Sequence, residues 1–327
     1  MSDIPETPVG GDARSAVRHV KVDGEHLGQR LDKVLGRLLE GVPRTRIFRL
    51  IRRGEVRVNG RRASPEQRLA DGDTLRLPPV RTAMPEAPRQ APASMMHSIE
   101  RAIIHEDERL LVIDKPSGIA VHGGSGLSFG VIEALRASRP HETLELAHRL
   151  DRDTSGLLLV ARRGSALREL HALLRDGAVQ KSYLVLVAGR WQLGHKRIDA
   201  PLRTDLRVGG ERTVRVHASG KEALTEFKPI EGFGAKATLL EAILHTGRTH
   251  QIRVHAAHCG HPVALDEKYG DQQFNEQMRE RGLKRMFLHA HSCSFAWPGG
   301  GKEQSFNAPL PDALKAVLDV LTTRGRK

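Results

Sequence analysis

The chain has 327 residues, with 52 lysines and arginines against 39 aspartates and glutamates, which gives a formal net charge of +13. This length can hold two domains, and the positive charge favours a polyanionic partner such as a nucleic acid. Two widely separated cysteines imply no disulfide framework, and the lack of a secretory signal or of an apolar run that could span a bilayer predicts a cytoplasmic protein with no membrane partner.

The N-terminal residues 1–17 are rich in Pro, Gly, Asp and Ser and lack periodicity, so we expect a disordered tail. Residues 18–78 then predict a compact unit of two helices and a few short strands. The first helix is indicated by apolar residues at helical spacing, namely Leu31, Val34, Leu35 and Leu38. An alternating stretch before Asn59-Gly60 predicts a strand followed by a tight turn.

The second predicted helix of this unit is strongly basic. It is expected between Pro43 and Gly54, and Arg46, Arg49 and Arg53 share one of its faces. Residues 28–78 hold 13 basic and 6 acidic residues, and 13 − 6 = +7 is more than half of the net charge of the chain. A solvated basic face is the alternative, but the segment between the proline and the glycine contains no acidic residue, which favours nucleic-acid binding.

The unit resembles the S4 RNA-binding domain over most of residues 28–78. The resemblance is carried by residues 44–47 (Arg-Thr-Arg-Ile) and 54–60 (Gly-Glu-Val-Arg-Val-Asn-Gly). It implies a small α/β domain that binds RNA through the basic helix, with Arg44, Arg46, Arg49 and Arg53 as the contacts.

Residues 79–97 contain several prolines among Ala, Arg and Met and predict a semi-rigid linker. A second domain is expected over residues 98–327, with strand-like apolar segments at 110–113, 157–161, 183–187 and 238–244. Helices are predicted more sparsely, at 131–137, from Thr249 to Gly260 and at the C-terminus. The pattern predicts an α+β fold, with flanking helices around an extended mixed, largely antiparallel sheet.

Residues 148–156 of the second domain, His-Arg-Leu-Asp-Arg-Asp-Thr-Ser-Gly, run directly into an apolar strand. A carboxylate in a polar turn before a buried strand is held at the edge of a rigid sheet, where reactive groups are often placed. Asp151 is therefore the first candidate for chemistry. It can serve as a nucleophile, as a structural ion-pair partner or as a turn residue.

Two further clusters follow along the chain. Residues 181–183 (Lys-Ser-Tyr) begin an apolar strand, and residues 246–255 (Thr-Gly-Arg-Thr-His-Gln-Ile-Arg-Val-His) begin a helix. With Arg248 and Arg253 near free backbone N–H groups, this helix start suits an anion, either a phosphate or a carboxylate such as Asp151. The histidines near Cys259 also raise a zinc site as an alternative, but the ligand spacings of known zinc sites are absent, so we predict no metal.

In their order and spacing these three clusters resemble the catalytic, tyrosine and arginine motifs of the RluA family of pseudouridine synthases. The resemblance covers about residues 98–310. Residues 121–130 and 210–213 are similar to the branch of the family that modifies 23S ribosomal RNA, and an S4 domain ahead of the catalytic domain fits that branch.

The resemblance implies an isomerase that converts uridines of 23S ribosomal RNA, in the large-subunit precursor, to pseudouridine without an external cofactor. Asp151 would act at the sugar or the base while the glycosidic bond breaks. Arg253 would pair with Asp151, and its guanidinium can bind both carboxylate oxygens. Tyr183 would stack on the uracil and accept the C5 proton. The target base must be flipped out of its helix.

RNA contacts near the active site are expected from three arginines, Arg149, Arg152 and Arg248, and a monomer is expected from the resemblance. Three other functions are consistent with parts of the sequence. A non-catalytic S4-type RNA-binding or ribosome-assembly protein explains the charge alone, and a nucleoside glycosidase explains the carboxylate. A synthase of the same family that acts on other ribosomal or transfer RNA sites explains both.

Overall fold

The computed structural model describes residues 17–22, 26–39, 41–42, 44–80, 91–123, 129–206 and 212–324. The chain divides into two compact units, Met1–Arg89 and Gln90–Lys327. The expected tail lies outside the described residues apart from Val17, and so does the part of the expected linker between residues 81 and 90. Residues 124–128 and 207–211, which carry part of the resemblance to the 23S branch, also lie outside them.

The first unit contains two helices and a four-stranded antiparallel sheet. The helices are α1 (Leu31–Leu38) and α2 (Arg44–Arg53), and the strands β1 (Arg18–Lys21), β2 (Arg57–Val58), β3 (Arg61–Arg62) and β4 (Thr74–Leu77) pair in the order β1-β4-β2-β3. Asn59 and Gly60 join β2 to β3, and both have positive φ angles, of 50° and 73°. This is the turn geometry that suits the right-handed twist of a hairpin, as the Asn-Gly pair predicts.

One apolar core holds the first unit together. Leu31 and Leu35 of α1 are fully buried, and Ile47 and Ile51 of α2 are 2% exposed. They pack in one cluster with buried residues of the sheet such as Leu75. Because each fully buried aliphatic side chain contributes on the order of 1.5–3 kcal/mol, this core fixes the faces of both helices and leaves the arginines of α2 on the outer side.

The second unit is built on a ten-stranded sheet. The path through it is β10-β13-β14-β9-β15-β8-β6-β5, with β16 paired to β15 and β7 to β8, while β11 and β12 form a separate hairpin. In chain order these strands are β5 (Ile103–Glu106), β6 (Leu110–Lys115), β7 (Glu145–Leu146), β8 (Ser155–Ala161), β9 (Gln180–Ala188), β10 (Lys196–Asp199), β11 (Leu202–Leu206), β12 (Arg212–Val216), β13 (Leu224–Phe233), β14 (Ala237–Leu244), β15 (Leu288–Ala296) and β16 (Glu303–Asn307). Among the described strand pairs, β8 and β15 alone run parallel. The predicted mixed, largely antiparallel sheet is confirmed.

Six helices flank this sheet in the described part of the second unit, namely α3 (Ala93–Arg101), α4 (Val131–Ser138), α5 (Gly164–Arg175), α6 (Gln251–His258), α7 (Gln272–Arg279) and α8 (Asp312–Arg324). α5 and α7 were not expected. α3 begins at Ala93, inside the segment predicted as linker, because its Ile99 is fully buried in the main core of the unit. Among the described residues no helix is both long and apolar enough to cross a bilayer.

Strand β8 places the candidate carboxylate. All its residues from Ser155 to Ala161 are buried, and β6 and β15 flank it. Gly156 has a φ of 104°, and a Cβ atom there would collide with the carbonyl oxygen of Ala290 on β15. Only glycine allows this approach, so the glycine that ends the 148–156 motif lets the loop carrying Asp151 enter the middle of the sheet.

Candidate active site

Asp151 is joined to Arg253 by an ion pair. The Nη1 atom of Arg253 donates to the Oδ2 atom of Asp151 at 2.9 Å, and the two side chains are 11% and 27% exposed respectively. The structure therefore brings together two of the three predicted catalytic residues, which come from the loop before β8 and from helix α6. Arg253 binds one of the two oxygens of Asp151.

The Arg253 guanidinium forms a bidentate ion pair with a second carboxylate, Asp266. Its Nε atom donates to Oδ2 at 2.7 Å and its Nη2 atom to Oδ1 at 2.8 Å, and the Asp266 side chain is fully buried. Burial works to raise the pKa of Asp266, but the hydrogen bonds and the charge of Arg253, together with hydrogen bonds from two backbone N–H groups, outweigh burial and the pKa is lowered. The Arg253 pKa is raised, since the two carboxylates outweigh the desolvation of the guanidinium. Asp266 thus fixes the guanidinium through Nε and Nη2 and leaves the Nη1 nitrogen for Asp151.

Sequence reasoning did not identify Asp266. Its carboxylate also accepts hydrogen bonds from the backbone N–H groups of Lys268 and Tyr269, at 2.9 and 3.1 Å. Leu265 before it has a φ of 53°, a left-handed conformation that is unusual for a leucine. The signal in the sequence was an acidic pair, Asp266-Glu267, directly after the apolar run Val263-Ala264-Leu265.

Lys115, whose side chain is fully buried, stabilises the loop that carries Asp151. Its ammonium donates to three backbone carbonyls, of Pro116 at 2.8 Å, Ile119 at 2.9 Å and Arg152 at 3.0 Å. Burial lowers the pKa of Lys115 to about 7. All three hydrogen atoms of an ammonium are needed for this arrangement, which ties the loop after β6 to the loop before β8.

His148, the first residue of the motif, has a structural position. Its Nε2 atom accepts a hydrogen bond from the backbone N–H of Leu159 at 3.1 Å. Burial lowers the pKa of His148 to about 4, so the ring is neutral at neutral pH and can act as this acceptor. The ring therefore anchors the start of the loop to strand β8.

His250 lies on the other side of Asp151. Its Nε2 atom is 3.9 Å from Oδ1 of Asp151, beyond hydrogen-bond distance, and its Nδ1 atom bonds the hydroxyl group of Tyr269 at 2.8 Å. Helix α6 begins after His250, whose φ is 53°, and not at Thr249, where the predicted helix starts. The turn is held by Gln251 instead, whose Oε1 atom accepts from the backbone N–H of Arg248 at 2.9 Å.

Tyr183 is 6% exposed and lies on strand β9, which is separated from β8 by β15. Burial raises its pKa, and Cys293 and Asp151 raise it further. The phenol is therefore protonated at neutral pH.

A cavity of about 660 Å³ joins these groups. Among the described residues that line it, Asp151 is the one carboxylate, whereas five carry a positive charge, Arg149, Arg175, Lys181, Arg248 and Arg253. Tyr183 also lines it. A second cavity of about 460 Å³ shares residues 247–249 with the first and adds Arg203 and Lys221. The site can therefore attract a polyanion and hold one reactive carboxylate inside it.

The predicted RNA-binding arginines are found in three places. Arg149 and Arg248 line the larger cavity, and the Nε atom of Arg248 donates to the carbonyl of Glu222 at 2.9 Å. Arg152 is exposed and pairs with Asp153 at 3.2 Å. On α2 of the first unit, Arg46, Arg49 and Arg53 are exposed, while the side chain of Arg44 lies outside the described residues.

The histidines that were candidates for a zinc site bind backbone carbonyls instead. The Nε2 atom of His255 bonds the carbonyl of Ala200 at 2.9 Å, and the Nδ1 atom of His261 bonds that of Ala188 at 2.7 Å. No group of three His, Cys, Asp or Glu side chains is arranged to hold a metal ion in the described ranges.

Comparisons with known proteins identify both domains of the chain. A family model described as RNA pseudouridylate synthase matches residues 109–258, and an S4 domain model matches residues 29–75. A curated protein of Pasteurella multocida (strain Pm70), named ribosomal large subunit pseudouridine synthase C, is 52% identical over 308 residues, 94% of each chain. A protein of the same name from Escherichia coli (strain K12) is 49% identical over 310 residues, 94% of this chain and 97% of the other.

Two solved human structures are also similar. One is titled RNA Pseudouridylate Synthase Domain Containing 1, and it is 27% identical with a TM-score of 0.55, covering 69% of this chain and 94% of that one. The other is titled RNA Pseudouridylate Synthase Domain Containing 4, and at 24% identity and a TM-score of 0.59 over 70% and 96% of the two chains it supports the fold alone. The chain belongs to the RNA pseudouridylate synthase family, and its catalytic domain follows an S4 domain.

Proposed function

We propose that the protein isomerises specific uridines of 23S ribosomal RNA to pseudouridine, with Asp151 as the catalytic carboxylate. The observation that carries this proposal is a positively charged cavity with one carboxylate among its described lining residues, held by an arginine that a second, buried carboxylate orients. The names of the relatives from Pasteurella and Escherichia supply the ribosomal large subunit as the substrate.

The geometry supports different roles for the two oxygens of Asp151. Oδ2 is bound to Arg253, whereas Oδ1 has His250 Nε2 no closer than 3.9 Å and keeps its lone pairs for the substrate. In the reaction the bond from ribose C1′ to uracil N1 breaks, the base rotates, and a bond from C1′ to C5 forms while the C5 proton leaves and N1 gains a proton. Atoms and charge balance within the nucleotide and water, so the isomerisation consumes no cofactor.

Tyr183 is proposed to stack on the uracil inside the cavity. Its position on the cavity wall supports that role. Because burial raises its pKa and keeps the phenol protonated, the structure supports stacking more than removal of the C5 proton.

The remaining positive groups are proposed to bind the RNA strand. Arg149 and Arg248 would contact phosphates at the cavity, and Arg152 would do so at its rim. The exposed arginines of α2, with Arg44 at its start, would bind RNA through the S4 domain. We further propose that the enzyme acts as a monomer on the large-subunit precursor in the cytoplasm, where ribosomal RNA is modified.

The test is release of tritium from C5-labelled uridine in a 23S RNA transcript. We expect the Asp151→Asn variant to release none above background, while its Kd for the transcript stays within about threefold of the wild type, because the substitution keeps the shape of the side chain. Asp153→Asn is the matched control, since Asp153 lies in the same loop but pairs with Arg152. Normal release from the Asp151→Asn variant would refute the assignment.

The same assay separates the other functions. An RNA-binding assembly protein releases no tritium even as wild type, and a glycosidase liberates free uracil, whereas a synthase leaves the base attached. Chemical mapping of pseudouridine in 23S and transfer RNA from a strain lacking the protein then identifies the modified positions.

A further inference from the structure

Lys181 carries a charge that the proposed mechanism does not yet use. It is the second residue of β9 and lies two residues before Tyr183, so the two side chains project from the same face of the sheet. Both line the larger cavity together with Asp151. The ammonium group of Lys181 is therefore placed on the wall of the cavity that the target nucleotide would enter.

Within the described ranges no hydrogen bond or ion pair reaches this ammonium, although the side chain is partly buried. Three other cations near the site are engaged, namely Arg253 with two carboxylates, Arg248 with the carbonyl of Glu222 and Lys115 with three carbonyls. The remaining two arginines of the cavity wall are exposed. A desolvated cation without a counter-charge is costly. In agreement with this, burial lowers the pKa of Lys181.

The nearest titratable neighbours do not neutralise it. Cys293 lies opposite Lys181 in the register of β9 and β15, and burial raises the pKa of its thiol to about 12, so it carries no charge at neutral pH. His148, which also lines the cavity, is neutral. Among the described residues that line the cavity, Asp151 is the one carboxylate and it is already bound to Arg253, so Lys181 has no anionic partner of its own among them.

We propose that Lys181 binds a backbone phosphate of the RNA strand beside the target uridine, an inference that rests on the proposed function. The uracil ring is neutral, and the phosphates are the groups of RNA that bear a full negative charge. With Asp151 at the sugar and Tyr183 at the base, a phosphate attached to the same ribose enters the cavity with them. One ammonium on this phosphate fixes the nucleotide during rotation of the base.

The test measures the salt dependence of RNA binding, in an Asp151→Asn background that prevents turnover. In Lys181→Met, which keeps the length of the side chain, we expect a lower affinity and a slope of log Kd against log salt that is smaller by about 0.7–0.9, the value for one phosphate fewer bound by the protein. Lys181→Arg should retain the slope. Lys302→Met, which removes an equal charge at an exposed position on the loop before β16, is the matched control and should also retain it.

A change in the RNA provides a second test, in which the effect on the protein with Lys181 is compared with the effect on the variant. A single uncharged methylphosphonate linkage, with a deoxyribose at that linkage for chemical stability, is moved through the positions around the target uridine. We expect one position to weaken binding to the protein with Lys181 and to have no further effect on Lys181→Met. If every position weakens binding equally in both proteins, or the slope of Lys181→Met equals that of Lys302→Met, the phosphate role is wrong.

A loss of kcat in Lys181→Met with Kd and slope unchanged would also overturn it, because Lys181 would then act on the base. Failure of the proposed function is visible separately, as a wild-type protein that releases no tritium from labelled RNA.

Discussion

The geometry of the site depends on one buried residue that is not among the residues lining the cavity, Asp266. Its two oxygens accept hydrogen bonds from Nε and Nη2 of Arg253, which fixes the guanidinium so that Nη1 donates to Asp151. Asp266 is in turn held by two backbone N–H groups. A catalytic carboxylate that must act at a defined atom benefits from such a rigid support.

We expect Asp266→Asn to impair catalysis more than RNA binding. The amide keeps the shape of the carboxylate but not its charge, so the Arg253 guanidinium loses its fixed orientation. We predict a kcat lower by up to about 100-fold, since small misplacements of reacting groups have effects of that size, with KM changed much less. The free energy of unfolding should fall by on the order of 3 kcal/mol, because a buried ion pair loses one of its partners.

Steady-state kinetics and urea unfolding of Asp266→Asn check both effects. The matched control is Glu267→Gln, since Glu267 is exposed and pairs only with Arg279 among the described residues. A normal kcat in Asp266→Asn would show that the orientation of Arg253 does not depend on this carboxylate.

At the scale of secondary-structure elements, helix α2 presents a basic surface opposite its buried face. Its core residues fix the helix on the sheet of the S4 domain, which leaves Arg46 and Arg49 exposed three residues apart. Phosphates of a polyanion repeat along a strand, so a helical row of guanidinium groups can contact more than one of them.

We expect a double substitution, Arg46→Gln with Arg49→Gln, to weaken 23S RNA binding and to reduce the salt slope by about 0.7–0.9 for each phosphate that the variant no longer binds. Filter binding over a salt series measures this slope. The control removes two arginines that already pair with carboxylates in the catalytic domain, Arg163 with Glu108 and Arg279 with Glu267. Equal slopes for the two double variants would mean that α2 contributes only net charge.

The elements differ in how well their sequences predict them. Alternation and apolar runs identify β8 and β9, because these strands are buried on a sheet. α5 was not predicted although Ala166 and Leu170 are spaced by four residues and buried, so the signal was present. α7 buries only Phe274, Asn275 and Met278 in a polar segment, and its sequence offers little pattern.

At the site, the ion pair of Asp151 with Arg253 could be predicted from the family motifs, whereas the ion pair of Arg253 with Asp266 could not. That contact depends on a left-handed Leu265, a conformation that no local pattern indicates. The role of Lys115 likewise depends on two loops that are distant in sequence and meet only in the folded sheet.

At the scale of the whole molecule, each unit has its own apolar core. The core of the S4 domain lies within residues 22–80, and the clusters of the catalytic domain lie between residues 91 and 321. Both tryptophans of the chain, Trp191 and Trp297, belong to the catalytic domain. Tryptophan fluorescence therefore reports unfolding of that domain alone.

Two buried histidines should make the catalytic domain sensitive to acid. Burial lowers the pKa of His148 and of His289 from 6.5 to about 4. Between these values the unfolded chain binds protons that the folded chain does not, so the free energy of unfolding falls as the pH drops from about 6.5 to about 4, by about 1.4 kcal/mol per pH unit for each group. Urea unfolding at pH 7 and pH 5, followed by tryptophan fluorescence, measures this loss.

His148→Gln should show a smaller loss than the wild type, because its amide oxygen can accept the N–H of Leu159 without titrating, whereas the exposed control His258→Gln should lose as much as the wild type. An undiminished loss in His148→Gln would mean that His148 is not responsible for the acid sensitivity.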